Sequence, residues 1–301
     1  MKLKNLLVLS VLVLIACTPT ERNSSGNSSG SSSLEPIASC PEELRFTVTD
    51  VEGEERLQAE FGSFQTALED VLGVPVTLVP LDRSYVSAAP ALMFDLVDLA
   101  FAGPSEYVLM NSKAKAIPLV GITRSEYHTV ILANAESDID SLDKLEGKTL
   151  GIRKAGSTAS HLGALEMLAE AGLKPADHFK VEIVGSDRGL RDLKEGKLDA
   201  WAEGNPNYVR ALEKYNLSES DFTLVRQGKP LPNDLLVANP ILETECIEAM
   251  RSRIVENERN LMDAILAAPA NKKFAESQIV PAKDEDYDMI REGYKAIGQE
   301  F

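Results

Sequence analysis

Histidine, cysteine and tryptophan are scarce in this chain of 301 residues, at three, three and one. Three histidines, His128, His161 and His178, and no cysteine pair at zinc-ligand spacing argue against a multi-histidine metal centre. A Gly-x-Ser-x-Gly elbow and a P-loop are both missing, so the commonest hydrolase and nucleotide-hydrolase signatures are absent and no cofactor is implied. Basic charge is short as well: 31 Lys and Arg against 47 Asp and Glu leave a formal charge of -16. Such a surface argues against nucleic acid and against electrostatic docking on anionic lipid. It also repels anions at long range, so any anion site must be built locally. No segment after the first sixteen residues is apolar for the roughly 20 positions a membrane-spanning helix needs.

What the chain does have begins at its N-terminus. Lys2 and Lys4 precede an apolar run from Leu6 to Ala16 interrupted only by Ser10, the pattern of a secretory signal. The run stops at Leu14-Ile15-Ala16-Cys17, which resembles a bacterial lipobox. Cleavage would remove residues 1–16 as a signal peptide and leave lipid on Cys17; an uncleaved anchor is the alternative. Thr18 to Ser39 is rich in Ser, Asn and Gly and cannot bury a core, so 17–40 reads as a flexible linker with a reach of roughly 25 Å. The chain is therefore expected to be exported and lipid-anchored to a bacterial membrane, facing the periplasm or the exterior. In that oxidising space Cys40 and Cys246 are candidates for a disulfide, with two buried thiols as the other reading.

From Leu44 onward, short apolar strands alternate with amphipathic helices, the pattern of α/β layering. Leu44 to Thr49, Val76 to Pro80 and Asp98 to Ala102 read as strands. Helices are expected over Glu54 to Leu72 (closed by Gly73), Ser84 to Phe94 and Ser105 to Asn111. After an extended crossover near Thr129 to Ala133 the alternation resumes. Strands read at Lys148 to Ile152, Lys180 to Val184, Leu198 to Trp201 and Phe222 to Val225. Helices read at Ser157 to Ala171, Arg188 to Glu195 and Asn205 to Tyr215. A last strand near Asp234 to Ala238 precedes two or three helices. The pattern predicts two α/β lobes: 41–131 together with 236–301, and 132–235.

Several phrases are similar to one family, the periplasmic phosphonate, phosphite and phosphate binding proteins of ABC importers. They are Tyr85-Val86-Ser87, then Val97 to Tyr107 with Phe101-Ala102-Gly103-Pro104 at its centre, Leu142 to Lys148, Gly156-Ser157-Thr158-Ala159-Ser160-His161, Gly185-Ser186, and Leu231-Pro232-Asn233-Asp234. The resemblance implies a type II periplasmic binding protein, two lobes joined by a hinge around a central ligand cleft. It also implies a non-enzymatic importer component that captures a small phosphorus oxyanion and partners a membrane permease.

The residues support that chemistry independently. Ser157, Thr158 and Ser160 lie where a strand gives way to a helix, so their hydroxyls and the free N–H groups of the first turn can converge on an anion. The bland alternative is an N-cap. Tyr85 and Tyr107 would donate phenolic hydrogen bonds from the opposite lobe, with Tyr127 a weaker candidate, or would simply pack. Asp234 can accept a proton from a hydrogen phosphonate, phosphite or hydrogen phosphate, whereas sulfate has none to give; the competing role is a turn after Pro232. The chain departs from the family at Asp187, which stands where a histidine donor is usual, leaving Arg188 or His161 to supply that donor. Glu203 and Asn205 lie where an acid could meet an amine on the ligand. Trp201 is expected in a core or on the cleft wall. A sensing subunit for a signalling system, or a receptor for a different small solute, would share every one of these features.

Overall fold

In a computed structural model the described residues are 34–81, 88–185 and 188–299. The signal peptide, Cys17 and most of the linker fall outside them, as do Tyr85 and Asp187. The first half of the chain runs β1 (Leu44–Val48), α1 (Glu54–Leu72), β2 (Val76–Leu78), α2 (Ala88–Met93), β3 (Leu99–Ala102), α3 (Pro104–Ala114), β4 (Ile117–Ile122) and β5 (His128–Asn134). It continues through β6 (Thr149–Ile152), α4 (Ala164–Glu170), β7 (Lys180–Ile183), α5 (Gly189–Lys194), β8 (Ala200–Gly204), α6 (Asn205–Tyr215), β9 (Phe222–Pro230) and β10 (Asp234–Ala238). The last elements are α7 (Thr244–Glu256), α8 (Glu258–Leu266), β11 (Ile279–Pro281) and α9 (Asp288–Lys295).

Two sheets result. The first has strand order β11-β4-β10-β3-β1-β2, with β1, β2 and β3 parallel and β10 antiparallel to both neighbours. The second has order β7-β6-β8-β5-β9, with β6, β7 and β8 parallel and β5 antiparallel to β8 and β9. Strands covered by helices on both faces read as unbroken apolar runs; β3, Leu99-Ala100-Phe101-Ala102, is buried at all four positions. The chain passes from the first sheet to the second between β4 and β5 and returns between β9 and β10. Residues 129–133, expected as an extended crossover, are the middle of β5 within the second sheet, paired throughout with β8 and, from Val130 on, with β9.

The first sheet carries an aromatic core. Phe46, Phe61, Phe64, Phe101 and Phe274 meet with ring centroids 5.5 to 6.4 Å apart. Burying each such side chain contributes about 1.5–3 kcal/mol. Cys40, just ahead of β1, is joined to Cys246 of α7 by a disulfide with Cα atoms 4.9 Å apart. Packed structure starts earlier than the expected linker boundary: Ile37 is buried in this core and the Leu34 amide donates to the Asp70 carbonyl. The core of the second sheet includes Trp201, which packs with Leu190, Leu193 and Tyr208. A third apolar cluster joins the two halves, because Ala159 and Leu162 from the second pack with Tyr107 and Leu235 from the first and with Tyr294 of α9.

Candidate binding cleft

The carboxyl ends of β1, β3, β6 and β8 open on one cleft of about 560 Å³, lined from both sheets. This is where open α/β sheets place ligands, because the loops there are free of the sheet ladder and the following helices turn their N-termini inward. Six cationic side chains (Arg56, Arg124, Arg153, Lys154, Arg210, Lys273) and five acidic ones (Asp50, Glu60, Glu106, Glu203, Asp234) line it. A strongly acidic protein thus holds a locally balanced pocket.

On the second-sheet wall, Ser157 and Thr158 reach the cleft, both buried. The turn they open, Thr158–Gly163, is π-helical before it tightens into α4. Buried hydrogen bonds fix it from behind. Ser160 Oγ accepts from the Arg153 amide at 3.1 Å, His161 Nδ1 accepts from the Gly156 amide at 3.0 Å, and Thr129 Oγ1 donates to the Ala159 carbonyl at 2.9 Å. Arg153 Nη2 donates to Ser157 Oγ at 3.2 Å. Burial lowers the His161 pKa from its ordinary 6.5, which keeps the ring neutral and its Nδ1 able to accept. Ser160 and His161, expected as ligand contacts, are therefore braces of the loop, outside the set of residues that line the cleft. The helix α9 presses on the same turn: a Cβ at Gly293 would lie 2.7 Å from the Leu162 carbonyl oxygen.

On the first-sheet wall, Asp234 opens β10, is 3% exposed, and sits between Arg124 Nη1 at 3.6 Å and Lys273 Nζ at 3.3 Å. Arg124 lies over the Tyr127 ring, 3.6 Å from its centroid. Burial pulls the Arg124 pKa down, but Asp234 and Tyr127 together more than restore it, so the guanidinium is held charged. Burial pushes the Tyr127 phenol up to about 12, leaving a neutral hydroxyl beside the cleft. Burial, and then the Asp50 carboxylate, push Glu106 upward while Lys154 opposes them.

The structure does not bring Tyr107 to the cleft. Helix α3 turns Glu106 toward it instead, and Tyr107 is fully buried, its hydroxyl donating to Asp284 Oδ1 at 2.6 Å and its ring 4.6 Å from that of Tyr287. Glu203 does line the cleft. Its Oε1 accepts from the Gly204 amide and from Asn207 Nδ2, at 2.8 and 3.0 Å, while Oε2 is buried with no hydrogen-bond partner. Arg124 Nε and Arg153 Nε are likewise buried without partners. Asn205 and Trp201 are not on the cleft surface, though Asn207, in the first turn of α6, is. Sequence reasoning missed Arg124, Arg153, Lys154 and Lys273; a place just past a strand end was the available signal for the first three, and Lys273, in the turn 269–274, carried none.

Contacts already cross between the walls. Thr158 Oγ1 accepts from the Ser105 amide at 3.2 Å and Lys154 Nζ meets Asp50 Oδ1 at 2.7 Å. The Ser105 amide is one of the orphan donors at the start of α3, so Thr158 caps that helix from the opposite wall. Among the described residues no cluster of three or more His, Cys, Asp or Glu side chains is placed to hold a metal ion, and no helix is long and apolar enough to cross a membrane.

Two mixed α/β sheets enclosing a polar cleft define the type II periplasmic binding protein fold, and solved structures share it. PhnD1 from Prochlorococcus marinus in complex with methylphosphonate superposes with a TM-score of 0.63 at 20% identity, covering 86% of this chain and 99% of that one. A Xanthomonas citri protein bound to ATP gives 0.65 at 17% identity, covering 86% and 98%. A binding protein component of an ABC phosphonate transporter from Pseudomonas aeruginosa gives 0.61 at 16%, covering 86% and 87%. Residues 46–287 match the family described as ABC transporter, phosphonate, periplasmic substrate-binding protein, and the chain belongs to that family. Its members are exported substrate-binding proteins that serve a membrane permease rather than enzymes.

Proposed function

We propose that the chain captures a small phosphorus oxyanion, a phosphonate or its phosphite and phosphate analogues, between its lobes and delivers it to an ABC permease without chemical turnover. The observation that carries this reading is the pairing of Ser157 and Thr158 on one wall with Arg124 and Asp234 on the other, across a single cleft. The hydroxyls and the free N–H groups of the π-helical turn supply neutral donors, and Arg124 and Arg153 each have a buried Nε free to donate. Asp234 then accepts the proton of a hydrogen phosphonate and selects against sulfate, which would meet the carboxylate with no proton between them.

Tyr85 and Asp187 complete the candidate set on the sequence reading. The lobes, expected from the sequence as 41–131 with 236–301 and 132–235, would pivot at the two passages between the sheets, residues 123–127 and 231–233. Lipid on Cys17 keeps the receptor near its permease and raises the effective concentration of each for the other. Isothermal calorimetry with methylphosphonate tests the assignment. The Ser157→Ala, Thr158→Ala double variant is expected to bind at least about tenfold more weakly, a loss of about 1.4 kcal/mol. Unchanged affinity in that variant would overturn the seat.

A further inference from the structure

Resting on that reading, we infer that the physiological ligand is a phosphorus oxyanion carrying a hydroxylated organic body, of sugar-phosphate size or larger, whose hydroxyl is received by Glu203. Three observations converge on it. The first is room. Thr158 to Ser105 and Lys154 to Asp50 already join the walls, so the lobes are in contact, and yet about 560 Å³ stays open between them. Methylphosphonate has five heavy atoms and fills roughly the space of four waters, about 120 Å³ at ~30 Å³ each. Pockets in the 300–1,000 Å³ range ordinarily hold much larger organic ligands.

The second is an unspent acceptor. Glu203 is 1% exposed and its Oε2 has no donor, although Oε1 takes two. A buried carboxylate oxygen without a partner forfeits on the order of 1–3 kcal/mol, and a ligand donor would recover it. An oxyanion has no donor to spare once its single proton has gone to Asp234, so the donor belongs to the organic body.

The third is the neighbourhood of that acceptor. Asn207 links Glu203 to Arg210, donating to Glu203 Oε1 and accepting from Arg210 Nη2. Arg210 and Arg56 stand exposed on opposite walls of the cleft. With a guanidinium one amide away, the Glu203 charge is already attended. A neutral hydroxyl therefore suits the position better than an ammonium, and the outer arginines favour further oxygen acceptors on the ligand.

Calorimetry on the purified protein with a matched panel tests this. Ribose 5-phosphate is expected to bind at least about tenfold more tightly than methylphosphonate, than pentylphosphonate, which matches its length without hydroxyls, and than 2-aminoethylphosphonate. Glu203→Ala is expected to abolish that advantage. Pentylphosphonate or 2-aminoethylphosphonate binding as well as ribose 5-phosphate overturns the inference, as does an advantage that survives Glu203→Ala. If that variant does not fold, the wild-type panel decides alone. Tight methylphosphonate binding with no ribose 5-phosphate binding overturns this inference and leaves the parent reading standing, whereas silence across the panel overturns both.

Discussion

The two walls of the cleft are built on opposite plans. The second-sheet wall is braced around a hydroxyl seat: Ser157 and Thr158 are presented by a buried turn whose hydrogen bonds to Arg153, Gly156 and Thr129 leave it few alternatives, with the charges of Arg153, Lys154, Arg210 and Glu203 set around it. The first-sheet wall is ionic and internally engaged, with Asp234 held between Arg124 and Lys273. A braced wall pays its ordering cost on folding and not on binding, which favours affinity. An ionic wall must exchange partners when a ligand arrives, and that exchange is where anions differing by one proton are told apart. On the proposed function, one wall would hold the anion and the other would choose it.

The division can be broken most directly at Asp234. Asp234→Asn is expected to lower the ratio of phosphonate to sulfate affinity on the order of a hundredfold, because the charge that opposes sulfate is gone. Thermal-shift titrations with both anions read the ratio, and an unchanged preference would assign selectivity to the other wall. Gly293→Ala attacks the braced wall from behind. Its Cβ would stand 2.7 Å from the Leu162 carbonyl oxygen, and overpacking of this kind costs about 1–3 kcal/mol. Both melting temperature and affinity should fall together; a fall in stability with intact binding would show the turn is not what holds the anion.

The pH dependence sharpens the same contrast. His161 has a folded pKa below 6.5, so the stability it contributes as a neutral acceptor is complete above pH 6.5 and is lost as pH falls through 6.5 toward the folded value. The difference between wild type and His161→Gln in denaturant melts should shrink by about 1 kcal/mol on acidification through that window. A constant difference would remove the histidine from the brace. The smallest effect is expected at Lys154, whose pairs with Asp50 and Glu106 are partly exposed. Lys154→Ala should shift the melting temperature by less than about 3 °C. A larger shift in scanning calorimetry would make this cross-wall pair a true latch.

Much of the fold was legible because local patterns agree with tertiary structure. Helix α1 falls on Glu54–Leu72 as read, its buried face set by Leu57, Phe61, Phe64 and Leu68, and Gly73 ends it in the left-handed region. Helix α6 and strand β10 also fall where the sequence placed them. Strands β4 and β11 went unread, since short apolar runs containing or ending in proline carry no clear period. Strand β9 runs on to Pro230, past the expected Val225, because pairing with β5 continues through residues with no apolar alternation.

At the site, Ser157, Thr158, Glu203 and Asp234 were legible from their places at element ends. Tyr107 was not separable from Glu106 by sequence, since one residue of helical rotation decides which of them enters the cleft. Arg124, Arg153 and Lys273 could not be found from charge pattern at all. Their role comes from loops that tertiary folding brings together, on a chain whose overall charge points the other way.

The disulfide between Cys40 and Cys246 also sets a path for mechanical load. Tension applied to the chain ahead of Cys40 passes at the staple into α7, whose Cys246, Ile247, Met250 and Ile254 are buried against the aromatic core. Strand β1 lies beyond the staple and is shielded from being peeled off its neighbours. A receptor tugged by its N-terminal end would therefore move as a body, its cleft undistorted by the pull.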